Sequence, residues 1–198
     1  MRWFGFAVVL LLAQPAGAAE LPAGNVSNGS LTQADGTRLL QHAITIDAPA
    51  EKIWAAFVDP KAIREWSAPM AVVDLRQGGY IEEEFTKEAK LGSPDNIRHK
   101  IISYLPGHLL VLQNETAPSG LPGGARFKDL VLIVEIESLD KQHTLVRLSQ
   151  TGYGNDPEFN KLYAFFETHN PELLEALKRA LENTKSAQAA AGVANVAR

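Results

Sequence analysis

Three turn signals divide the stretch between Ala71 and Gln150, and each lies between two runs that alternate as β-strands do. Gln77-Gly78-Gly79 separates residues 71–76 from 80–86, Pro106-Gly107 separates 97–105 from 109–115, and Asp140-Lys141-Gln142 separates 130–138 from 144–150. Glycine accepts positive φ without a Cβ clash and proline pre-sets a turn, so each pair closes as an antiparallel hairpin. With a further strand at 39–47, the sheet has about seven strands. Helical periodicity brackets this meander. Ala48-Pro49 opens a helix over 50–58 whose apolar stripe is Ile53, Trp54 and Phe57, and Asp59-Pro60 breaks it before a short second helix at 61–66. After Gly154 the helical period returns in Phe159, Leu162, Tyr163 and Phe166, then in Leu173, Leu174, Leu177 and Leu181, giving a long amphipathic helix to about Asn183. Asn170 can cap a restart with Pro171 at the first helical position, so a kink or a cap is expected there and not a straight rod. The Gly/Pro-rich run at 117–124 reads as a flexible loop long enough to fold over a pocket mouth.

Composition narrows the function classes. The 198 residues suit one domain, and 45% hydrophobic with 21% charged residues is ordinary for a globular chain. A formal charge of -4 without a Lys/Arg run argues against a nucleic-acid partner. Without cysteine there is no disulfide, thiolate metal site or Cys nucleophile. Arg2, the apolar run 3–13 and Gln14-Pro15-Ala16-Gly17-Ala18-Ala19 read as a secretory signal over residues 1–19, cleaved near Ala18 or Ala19. The run is shorter than the roughly 20 residues a permanent span needs, so an exported, most simply periplasmic, protein without a stable membrane anchor is expected. Residues 20–37 read as a mobile Gly/Asn/Ser-rich leader, 38–184 as the folded domain, and 185–198 as an Ala-rich tail that frays.

A twisted antiparallel sheet curling around one long helix makes an α+β fold that tends to keep a cavity between its layers. Several motifs carry a family resemblance. They are Ile46-Asp47-Ala48-Pro49 running through Trp54 and Phe57 to Asp59-Pro60, then Trp66, the Gly78-Gly79 hairpin, Tyr104-Leu105-Pro106-Gly107-His108-Leu109 and Thr144-Leu145-Val146-Arg147-Leu148. Over roughly 39–183 the chain resembles the START-like (SRPBCC) helix-grip superfamily, most closely the branch of activator of 90-kDa heat-shock-protein ATPase homologues. It departs from that pattern twice: Ser67 follows Trp66 where a second aromatic is common, and Asn170-Pro171 interrupts the last helix. The resemblance implies carriers of lipids and other apolar molecules, polyketide cyclases, hydrolases or lyases of hydrophobic substrates, or co-chaperones. Export sets aside a cytosolic chaperone partner.

Chemistry requires polar groups that converge on the inside. Strand alternation puts Glu83 on the face of Ile81 and Phe85, where a carboxyl against an apolar cavity serves as a general acid or base; the alternative is a rim position or a pair with a basic neighbour. Of Arg98, His99 and Lys100, alternation admits either His99 or the Arg98 and Lys100 pair to the inside, and leaves open which. Glu83 and His99 are the candidate catalytic residues. The five histidines lack metal-ligand spacing and no phosphate loop or nucleophile elbow is present, so neither metal nor cofactor is expected. The expected ligand-binding set is Trp54, Trp66, Met70, Glu83, Phe85, Tyr104, Tyr163, Phe166 and His169, with Phe57, Phe127 and Asn170 nearby and the mouth at Trp66, Met70 and Gly123-Gly124. The expected function is binding of a small hydrophobic molecule. An acid-base enzyme of the cyclase or lyase kind in the same cavity is the alternative, and an envelope protein-interaction module the second.

Overall fold

The computed structural model describes residues 25–85 and 90–196, with side chains as far as Asn183. The signal expected at residues 1–19 lies outside the described residues. Among these the sheet has nine strands: β1 (Ser27–Asn28), β2 (Leu31–Thr32), β3 (Arg38–Ile46), β4 (Met70–Val73), β5 (Tyr80–Glu84), β6 (Ile97–Leu105), β7 (Leu109–Thr116), β8 (Val131–Ser138) and β9 (Thr144–Tyr153). All pairings are antiparallel in the order β1-β3-β9-β8-β7-β6-β5-β4, with β2 also on β3. The three hairpins follow the turn signals, so β4 to β9 lie side by side in chain order. Helices α1 (Ala50–Val58) and α2 (Pro60–Trp66) link β3 to the far edge strand β4, and α3 (Pro157–Val196) lies across the sheet. This is the α+β helix-grip arrangement.

Local chemistry sets the entry helices. Asp59 ends α1 in extended conformation, and its carboxylate accepts the Lys61 amide at 2.8 Å at the start of α2, where Pro60 loses no helical bond. The Trp66 indole N–H then donates to the Ala56 carbonyl at 2.8 Å, and its ring meets Phe57 edge-to-face at 5.6 Å, which locks α2 onto α1.

Two packed clusters grip α3. Leu174 and Leu177 sit in the larger one with Ile44, Ile46, Ile53, Ile101, Leu110 and Val146. Phe159 and Leu162 sit in the smaller one with Leu40, Leu130 and Tyr153. Between these anchor points the helix faces a gap.

Several expectations need correction. Part of the leader at 20–37 is ordered: β1 and β2 pair with β3, and the Ser30 hydroxyl accepts the Gln41 amide at 3.0 Å. Without that cover β3 would present a bare edge of unpaired backbone groups. The 117–124 loop is anchored, because Gly123 at φ 69° lies so close to Glu158 and Leu162 that a Cβ would collide, and a 3-10 turn follows at Gly124–Asp129. α3 runs on through Asn170-Pro171, so no capped restart forms there. Proline leaves the Glu167 carbonyl without its helical donor, but the Asn170 side chain is tied to Gln150 and Leu174 and Leu177 are buried in the following turns. The helix also passes Asn183, the end read from the sequence, and reaches Val196. Alanine is the strongest helix former, so the backbone of residues 185–196 stays helical where apolar burial was expected to run out.

Candidate functional site

The gap opposite the middle of α3 is a cavity of about 320 Å³. Its sheet wall is built by inward-facing positions of five adjacent strands. Ile81 and Glu83 come from β5, Ile97 and His99 from β6, Leu110 and Leu112 from β7, Leu132 and Val134 from β8, and Leu148 and Gln150 from β9. The roof is Phe165, Phe166, His169, Asn170 and Leu173 of α3, and the end wall is Ala56, Phe57, Ile63, Trp66 and Ser67. Phe127, from the 3-10 turn, closes the side and stacks near Phe166 with centroids 6.3 Å apart. Phe85 and Leu173 line the cavity while 48% and 37% exposed, which marks the mouth.

Besides the exposed His169, whose Nδ1 lies 2.7 Å from the Phe165 carbonyl, three polar features interrupt this apolar surface. Glu83 points inward as alternation required, and its Oε1 accepts the Ser67 hydroxyl at 2.7 Å. Burial raises its pKa above the ordinary carboxyl value, and the Ser67 bond draws it back only in part. Its neighbours Glu82 and Glu84 face the other way. Glu82 is buried there too, where its carboxylate accepts the Gly92 amide and the Asn96 side chain at 2.6 Å and lies 3.7 Å from Arg98.

His99 is the second feature. The parity left open by the sequence is settled by a bulge: Ile101 pairs with Leu112 and Ser103 with Val111, so Ile102 is the extra residue. The bulge lets His99, Ile101 and Tyr104 all face inward while Ile102 is exposed, and it sends Arg98 and Lys100 outward. Arg98 there pairs with Glu115 at 3.0 Å and stacks over Tyr80. His99 Nδ1 lies 2.9 Å from Asn114 Oδ1, so Nδ1 carries the hydrogen and Nε2 is left as an acceptor. Burial lowers its pKa to about 4, against a smaller opposing effect of the Asn114 bond, and the ring is neutral at pH 7.

The third feature was not read from the sequence. Gln150 Oε1 accepts both the Tyr153 hydroxyl at 3.0 Å and Asn170 Nδ2 at 3.1 Å, so its amide is clamped between β9 and α3. All three partners are buried. Gln150 does not stand out in the sequence, because an amide on an apolar stretch carries no motif, and Ser67 stands out there only as a departure from the family pattern.

Of the expected site residues, Trp66, Glu83, Phe85, His99, Phe166 and His169 line the cavity, and Trp54, Met70, Tyr104 and Tyr163 do not. Trp54 and Tyr104 pack on each other at 6.2 Å beside the larger core. Tyr163 meets Tyr153 at 5.1 Å and lies 4.5 Å below the Arg38 guanidinium. Met70 is on edge strand β4, paired with Glu84. Aromatic residues at core spacing serve packing as well as pockets, and here these three serve packing. Glu83 pairs with Ile97 and Ile81 with His99, so the two titratable groups are diagonal neighbours on one face, a relation that sets residues about 7–8 Å apart with their Cβ atoms somewhat closer. That spacing leaves room for a ligand atom between them. Among the described residues no group of three or more His, Asp or Glu is arranged to hold a metal ion.

The profile of the activator of Hsp90 ATPase homolog 1-like proteins matches residues 47–182. The chain belongs to that family. Similar solved structures include the Aha1 dimer of Colwellia psychrerythraea, with 21% identity, 73% of this chain and 96% of that one covered and a TM-score of 0.57. A protein of Rhodobacter sphaeroides shares 16% identity over 82% of this chain and 99% of its own, with a TM-score of 0.59. An HSP90 activator from Plasmodium falciparum shares 17% identity over 68% and 88%, with a TM-score of 0.50. At these identities the likeness shows the fold. No curated protein matches the sequence. Both of this chain's departures from the family resemblance supply a polar group to the cavity: Ser67 bonds Glu83 and Asn170 bonds Gln150.

Proposed function

We propose that the protein is an exported carrier or receptor of a small hydrophobic molecule, held between the sheet and α3. The observation that carries this reading is the cavity itself, about 320 Å³ and largely apolar, left open between two closely packed clusters of the same core. A core of this size closes such a gap when nothing is gained by keeping it, since unfilled apolar volume costs stability. Export rests on the pattern of residues 1–19. A ligand entering past Phe85 and Leu173 buries its body on Leu112, Val134, Leu148 and Phe166, with affinity set by apolar area at roughly 25 cal/mol per Å² and orientation by the polar wall groups.

The test is native mass spectrometry of the mature protein taken gently from its envelope fraction, together with a cavity-filling variant, Leu148→Phe. A removable small-molecule adduct on the wild type, absent from the folded variant, is the expected result. A bare mass in repeated preparations, with nothing regained from an envelope lipid extract, overturns it.

The diagonal pair Glu83 and His99 favours a second reading, an acid-base enzyme of the cyclase or lyase kind. Protonated Glu83 would deliver a proton and neutral His99 would accept one at Nε2, with substrate between them. Glu83→Gln separates the readings: a binder keeps uptake within about tenfold, whereas an enzyme loses on the order of 10²-fold or more in turnover.

A further inference from the structure

The polar groups of the cavity differ in kind, and their arrangement defines which ligands fit. Gln150 Oε1 is committed to Tyr153 and Asn170, so the end of this buried, cavity-lining side chain left to face the ligand is its Nε2 donor. His99 presents an acceptor, since its Nδ1 hydrogen is used by Asn114. Glu83 presents a carboxyl, and four strand spacings separate it from Gln150, about 19 Å along the sheet and less across its concave face. Between these poles the wall is Leu110, Leu112, Leu132, Val134 and Leu148.

Among the described residues no lysine or arginine lines the cavity. The nearby cations are engaged elsewhere: Arg98 with Glu82 and Glu115 on the outer face, Lys178 with the Thr45 carbonyl and Glu182, and Arg38 with the Gly154 carbonyl. A carboxylate entering this space sheds its water, meets no lysine or arginine and shares the cavity with Glu83, while the imidazole that lines the roof, His169, has its Nδ1 on the Phe165 carbonyl, a combination that disfavours the ion strongly. A ketone, ester or amide carbonyl sheds far less hydration and finds the Gln150 donor waiting.

Resting on the binding function proposed above, we infer that the cavity selects an uncharged, elongated ligand with a carbonyl-type acceptor seated on Gln150 Nε2, and refuses the carboxylate of the same length. Carboxylic acids enter only in their protonated form. Their apparent affinity then falls about tenfold per pH unit above the acid's own pKa, while that of a ketone stays flat apart from any titration of Glu83 and His99 themselves.

The experiment is displacement of the neutral fluorophore N-phenyl-1-naphthylamine from the full chain by 2-undecanone and by decanoate, at pH 5.5 and 7.5. The expected result is a ketone at least tenfold more effective than decanoate at pH 7.5, with the gap narrowing at pH 5.5. Equal displacement at pH 7.5 overturns the charge selection and leaves the binding function standing. No uptake of fluorophore or ketone by folded protein overturns both. In Gln150→Met, checked for folding by its thermal melt, ketone affinity falls about tenfold from loss of one buried donor. Unchanged ketone affinity removes Gln150 from the assignment, and where that variant does not fold the wild-type pH series decides alone.

Discussion

Replacing His99 by phenylalanine should flatten the acid side of the stability curve. His99 titrates at about 4 in the folded protein because it is buried, against roughly 6.5 for a histidine in the unfolded chain. Between those values the unfolded state binds a proton that the folded state refuses, so stability falls as pH falls from about 6.5 to about 4. The linkage gives a loss of about 2 kcal/mol between pH 7 and pH 5, and about 3 kcal/mol once both states are protonated. Buried His42 acts in the same direction, its pKa lowered by burial and held up in part by Glu167. Glu83 acts in the opposite direction: its raised pKa contributes stability that is full below the ordinary carboxyl value and lost as pH rises through its folded one. Both groups remain in His99→Phe, so subtracting the two stability curves isolates His99. The variant also leaves Asn114 without its partner, which costs about 1–3 kcal/mol at pH 7. The two curves therefore converge or cross on acidification. The assay is urea unfolding followed by tryptophan fluorescence at pH 7, 6, 5 and 4.5. Parallel curves, separated by the same amount within about 0.5 kcal/mol at every pH, would refute the buried neutral imidazole.

Other consequences are open to measurement. Gly123→Ala forces a Cβ into the Glu158 and Leu162 backbone at positive φ and should destabilise by about 2–4 kcal/mol in denaturant unfolding, whereas Gly120→Ala, with open space around it, stays within about 0.5 kcal/mol. Pro171→Ala returns an amide to the Glu167 carbonyl inside α3 and should raise stability by about 1–3 kcal/mol, read from the midpoint of the same unfolding curve. Ser67→Ala removes the bond that partly offsets burial at Glu83, so the carboxyl titrates at higher pH than in the wild type, as followed by carbon-13 NMR of labelled glutamate. A shift downward would contradict the burial argument. Asn170→Ala leaves Gln150 Oε1 with the Tyr153 hydroxyl as its remaining donor and no tie to α3, and should cost about 1 kcal/mol in denaturant unfolding together with a weakening of 2-undecanone binding.

Glu83 was legible because a strand repeats every two residues and Ile81 and Phe85 fix which face is inside. His99 was not, since the same rule fails across an inserted residue and nothing in 97–105 announces that Ile102 is skipped by β7. The aromatic set was legible as a set and ambiguous as a site. Trp54, Tyr104 and Tyr163 have the composition of a pocket wall and the contacts of a core, and only the path of α3 tells them apart from Trp66 and Phe166. The capped restart expected as one outcome at Asn170-Pro171 failed for the same kind of reason, because burial of Leu174 and Leu177 outweighs one missing backbone bond.

By itself the sequence determined the order of β3 to β9 and α1 to α3, the three hairpins and the inward carboxyl, because turn chemistry and side-chain period act over a few residues and need no distant partner. Tertiary structure decided which polar groups share the cavity. Ser67 reaches Glu83 across 16 residues and Asn170 reaches Gln150 across 20, and each pairing exists only once α2 and α3 have been laid against the sheet. Hydrogen bonds of that kind leave no periodicity to read, since their geometry is set by the packing of apolar neighbours and not by the spacing of the residues that make them.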